Sequence, residues 1–94
     1  MTQDEQEETL EIARAIVASG QWGIPPGFTL DRCRHDSVTD PTLWAFHNGA
    51  QVGSATLTPQ GWTVSRIAHG TPYTRRTEPT LALALAHICQ PRKA

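Results

Sequence analysis

Two thiols and two imidazoles stand in close pairs, Cys33-x-His35 and His87-x-Cys89. That donor set would satisfy a tetrahedral zinc ion, but neither spacing is one that zinc sites use. On a helix, residues two apart point about 200° away from each other, so His87 and Cys89 would not face one ion. The reading is therefore two reduced, buried thiols and no metal. Acid–base groups are scattered in turn-rich stretches: Asp36, Asp40 and His47 in one, His69 and Tyr73 in another. The chain has no G-x-S-x-G, no glycine-rich phosphate loop and no H-E-x-x-H. A domain of this size also offers little concavity for a substrate. The expectation is a non-enzyme with no cofactor.

The densest chemistry lies in residues 61–76, GWTVSRIAHGTPYTRR. Trp62, Arg66, His69, Tyr73, Arg75 and Arg76 combine large contact area with guanidinium groups, the residue types that dominate protein contact surfaces. The same set suits a nucleic acid, with a ring stacking a base and the arginines beside phosphates. His47 joins them if the strands pair as read below. The opposing reading makes Trp62 a core plug and the basic loop a solvated connection.

These residues need a scaffold, and the patterning supplies one. In DEQEETLEIARAIVAS (4–19), Leu10, Ala13, Ile16 and Val17 recur on one helical face. Thr2 and Glu5 have capping-box spacing, and Gly20 suits a left-handed stop. Pro25-Pro26 forces a crossing loop, with Trp22 and Ile24 as plugs. FTLDRCRH (28–35) alternates as a strand with Phe28 and Leu30 inward, its charges suited to a sheet edge. The DSVTDPT segment (36–42) is a connector.

In LWAFHNGAQVGSATL, two alternating runs flank Asn48-Gly49, the pair that a type I′ hairpin prefers. That turn sets His47 opposite Ala50, Phe46 opposite Gln51, Ala45 opposite Val52 and Trp44 opposite Gly53. TPQG (58–61) reads as a type I turn with Pro59 at its second position and Gly61 in the left-handed region, a bulged hairpin leading to the strand WTVSRI. In TEPTLALALAHICQ (77–90), Thr77 as N-cap followed by Glu78 and Pro79 favours a helix, with Leu81, Ala84, Leu85 and Ile88 on its inner face.

The order is α-β-β-β-β-α: a small α+β domain over residues 1–94, a three- or four-stranded antiparallel meander packed by two helices, with 1–3 and 91–94 as frayed termini. Carrying the register across both hairpins puts Trp44, Phe46, Ala55, Leu57, Thr63, Ser65 and Ile67 on one face. The other holds Leu43, Ala45, His47, Val52, Ser54, Thr56, Trp62, Val64 and Arg66. The first set is richer in large apolar groups, so the helices are expected there. That leaves Trp62, Arg66 and His47 on the open side.

Composition bounds the functional classes. The 94 residues are 38% hydrophobic and 18% charged, a globular balance, and no apolar run reaches membrane-spanning length. The start MTQDEQEE is unlike a secretory presequence, so a cytoplasmic setting is expected. Residues 1–11 carry five acids and no base; the rest has eight bases against four acids, a local excess of +4 within a net charge of −1. Acids at a helix start suit its dipole. A pI near 6.4 and a single lysine speak against a polyanion-binding footprint.

Over residues 43–90, three antiparallel strands followed by a helix resemble the layout of integrase arm-binding domains, and α-β-β-β-α is similar to double-stranded-RNA-binding domains. The likeness is of layout alone and carries no residue role across. The sequence therefore favours a protein-binding module: an adapter, inhibitor or accessory protein of a style common in phage and other mobile elements, monomeric or a weak homodimer. It would engage its partner through a sheet face and the 66–76 loop. Nucleic-acid binding through the same face and Arg66, Arg75 and Arg76 is the alternative.

Overall fold

The computed structural model describes residues 3–32 and 42–90. Several expectations lie outside them: the Thr2 cap, the strand end at 33–35 with Cys33 and His35, the connector with Asp36 and Asp40, and residues 91–94.

The 3.6-residue apolar repeat forms helix α1 (Gln3–Ser19), which buries Leu10 and Ala13 and half-buries Ile16 and Val17. It stops at Gly20, whose φ of 73° is easy only for a residue without Cβ. The next strand, β1 (Phe28–Arg32), turns Phe28 and Leu30 inward as expected. Two side-chain bonds fasten the helix to it: Arg32 Nε lies 2.5 Å from Glu7 Oε1, and the Arg14 guanidinium donates to the Leu30 carbonyl at 3.0 Å. The acidic helix start thus has a specific counter-charge.

β2 (Thr42–His47) and β3 (Ala50–Thr58) form the hairpin closed by Asn48-Gly49, both at positive φ (51° and 86°). His47 opposes Ala50 and Phe46 opposes Gln51, as read from the sequence. The register then shifts: Ala45 opposes Gly53 and Trp44 opposes Ser54, so Val52 is an extra, bulged residue. β4 (Gly61–Ala68) follows the Pro59-Gln60 turn, with Gly61 at φ 123°.

Two short strands depart from the expected order. His69-Gly70 (φ 53° and 77°) makes another tight turn and returns the chain as β5 (Thr71–Pro72), then β6 (Arg76–Glu78), both antiparallel to β4. Thr77 is therefore a strand residue and not a helix cap. The cap lies three residues later, at Thr80, whose Oγ1 accepts the Leu83 N–H at 3.2 Å at the start of helix α2 (Leu81–Ile88). Pro79, already fixed at a helix-compatible φ, precedes the cap.

The fold is α+β: the described residues form two helices and a six-stranded antiparallel sheet in the order β1-β2-β3-β4-β5, with β6 also on β4. Both helices lie on one face. Leu10 and Ala13 from α1 and Ala84, Leu85 and Ile88 from α2 share one core with Leu30, Leu43, Ala45, Ala55, Trp62 and Val64. Fully burying a side chain such as Leu85 or Ile88 contributes about 1.5–3 kcal/mol. Contact there is close: a Cβ on Gly53 would lie 2.6 Å from the Ile88 Cβ.

Candidate docking face

The bulge at Val52 decides which side of the sheet is covered. Past it, Ala55 and Leu57 fall in line with Leu43 and Val64 instead of with Trp44: Leu43 opposes Ala55, Ala55 opposes Val64, and Leu57 opposes Trp62. This makes the Leu43 face the more apolar one, and the helices cover it. The expected polarity of the sheet is thus reversed. Trp62, Arg66 and His47 do share a face, but it is the helix face.

Trp62 is a core residue, 7% exposed. His47 stacks on Phe28, ring centroids 4.6 Å apart, on β2, with β3 between it and β4. Arg66 opposes Gly53 and is half-buried, its guanidinium carbon 5.6 Å from the Tyr73 ring centroid. Arg76 pairs with buried Glu78 at 2.6 Å. His69 is exposed at the turn tip, while Tyr73 and Arg75 are exposed beside β4. Arg66 and Tyr73 are thus neighbours in the fold, whereas Trp62 is sealed in the core and His47 stands on β2.

A second bulge positions Tyr73 and Arg75. The Tyr73 N–H donates to the Arg66 carbonyl at 2.9 Å, and Arg76 opposes Val64. Two residues, Thr74 and Arg75, therefore stand opposite the single place of Ser65. The Arg66 N–H, which would meet the Tyr73 carbonyl in a regular pair, donates instead to Thr74 Oγ1 at 3.0 Å. The same hydroxyl lies 3.5 Å from His87 Nε2. His87 has its pKa lowered by burial first, then by Arg76 and Arg66, against an opposing pull from Glu78. Cys89, one position past α2, is buried in the core, and that burial pushes its thiol up to about 12. The two therefore point to different environments.

On the side away from the helices lie Thr42, Trp44 and Phe46 of β2, Ser54, Thr56 and Thr58 of β3, and Thr63 and Ser65 of β4. No described element covers them. Thr42, Thr56, Thr63 and Thr77 oppose one another across four strands, and Thr42 Oγ1 sits 3.1 Å from Thr56 Oγ1. The β3 and β4 hydroxyl residues floor a groove of about 620 Å³, walled by Pro72, Tyr73, Thr74 and Arg75. Sequence reasoning missed this floor. Its signal was the period-2 repeat of hydroxyls, Ser54-x-Thr56-x-Thr58 and Thr63-x-Ser65.

Among the described residues, no three His, Cys, Asp or Glu side chains converge as metal ligands, and no helix is long and apolar enough to cross a membrane. Comparison with known proteins finds no family model that matches the chain, and no curated protein or solved structure that does.

Proposed function

We propose that the protein is a non-enzymatic binding module, an adapter, inhibitor or accessory protein, that seats a protein partner on the sheet face opposite its helices. The observation that carries this reading is a face that no described element covers: Trp44 and Phe46 beside rows of short hydroxyl side chains, with Tyr73 and Arg75 raised along one side. Serine and threonine lose little rotamer entropy on burial and can both donate and accept hydrogen bonds. The aromatic pair adds apolar contact area.

The state of the sheet edges supports face docking over strand addition. The Asn48 N–H donates to the Gly27 carbonyl at 3.2 Å across the Phe28–His47 pair. By the antiparallel alternation, the backbone groups of Leu30 and Arg32 then point to the outer edge of β1. The Leu30 carbonyl is held by Arg14, and the Arg32 N–H by Asp31 Oδ1 at 2.8 Å. At the opposite edge, Pro72 has no N–H to offer, and the bulge at 74–75 interrupts the strand.

The nucleic-acid alternative receives less support, because Arg76 is paired with Glu78 and Arg66 is half-buried. A cytoplasmic setting accords with a free, buried Cys89.

Thr56→Arg and Ser65→Arg each plant a long charged side chain in the face. Each is expected to abolish capture of a partner that the unaltered chain retains, while Glu8→Arg on the exposed side of α1 keeps it. Retention by both face variants would overturn the reading. Steeply salt-dependent heparin binding, lost in Arg75→Gln, would turn it toward nucleic acid.

A further inference from the structure

The groove on that face has an electrostatic character that narrows what it receives. Of its nine described lining residues, Arg75 alone belongs to the Asp, Glu, Lys, Arg and His set. Its side chain is exposed and makes no ion pair with a described residue, whereas the adjacent Arg76 is joined to Glu78. The hydroxyls differ in the same way. Thr56 bonds to Thr42 and Thr58 donates to the Gly61 carbonyl at 2.9 Å, but Ser54, Thr63 and Ser65 bond to no described group. The groove thus offers one guanidinium with its donors unspent, above a floor of three uncommitted hydroxyls.

Building on the docking reading above, we infer that the partner inserts an acidic peptide segment here, one carboxylate on Arg75 and its backbone amides on Ser54, Thr63 and Ser65. A carboxylate matches the guanidinium fork with two parallel charge-assisted bonds. Hydroxyls serve an amide chain well, because each satisfies either a donor or an acceptor. A polynucleotide would need several phosphates neutralised along its track, and the described lining of this groove carries a single cation.

The test uses the full chain, ¹⁵N-labelled, titrated with the blocked peptide Ac-Thr-Glu-Thr-Glu-Thr-NH2. Amide shifts are expected at Ser54, Thr63, Ser65 and Arg75. Replacing both peptide Glu residues with Gln, or Arg75→Gln in the protein, should each raise Kd about fivefold or more. Arg75 is exposed and holds no structural bond, so this variant keeps the fold. The inference is overturned by absent groove shifts, by equal binding of the Gln peptide, by indifference to Arg75→Gln, or by a stronger response to oligothymidylate. If Ser65→Arg releases the native partner while Arg75→Gln holds it undiminished, the docking face stands and the acidic segment does not.

Discussion

Trp62 shows how one side chain's role turns on a neighbour's register. Its indole closes the core between Leu57 and the buried Glu78, its two cross-strand partners. Trp62→Ala should therefore lose about 3–5 kcal/mol in a urea unfolding curve. Thr63→Ala, one residue on and facing the other way, should shift it by less than about 1 kcal/mol. His87 gives a second expectation at this scale. Burial and the nearby Arg76 and Arg66 hold its pKa below the ordinary 6.5, against the weaker raising effect of Glu78. The unfolded chain therefore takes up this proton more readily than the folded one. The contribution is fully present above pH 6.5 and fades as pH falls through the window between the unfolded and folded values. Urea midpoints should drop from pH 7.5 to pH 5.5, with a shallower drop in His87→Gln.

At the scale of elements, the edge strand is held in two pieces by one hydroxyl. Thr74 Oγ1 stands in for a missing backbone acceptor, so Thr74→Val leaves the Arg66 N–H without that bond and should destabilise the fold by about 1–3 kcal/mol. Thr74→Ser should restore most of the loss; equal loss in both would make the methyl group, not the hydroxyl, the important part. The broader elements were legible in the residues. Helical spacing identified α1, Asn48-Gly49 identified the hairpin, and the inner face of α2 was read correctly. What escaped were features with no local signature. Val52 looks like any strand valine, and only packing against the helices selects the register that bulges it. His69-Gly70 makes a left-handed turn with a residue less usual there than asparagine. Thr77 and Thr80 are both chemically fit to cap a helix, and pairing with β4 takes the first of them. The candidate groove stayed hidden because it depends on an unbulged β3–β4 pairing, with Ser54 opposite Ser65 and Thr56 opposite Thr63.

Among its described residues, the molecule keeps a broad face open while closing its rims. This combination lets a sheet protein expose hydrogen-bonding surface without recruiting further copies through its margins. Removing both β1 locks, Arg14→Ala with Asp31→Ala, should raise the self-associated fraction measured by light scattering above that of the unaltered chain at the same concentration. Unchanged mass in the double variant would show that other groups guard this margin.

Every described strand except β6, which returns to β4, also bonds a neighbour next to it along the chain, mostly across two-residue turns. Assembly can thus zip outward from a hairpin with little loop-closure entropy at each step. The docking of α1 on α2, which joins opposite ends of the polypeptide, is the step that spans the greatest separation. Stopped-flow tryptophan fluorescence should find a single refolding phase on the order of milliseconds, with perturbations at the helix–helix contact speeding unfolding and leaving the refolding rate nearly unchanged.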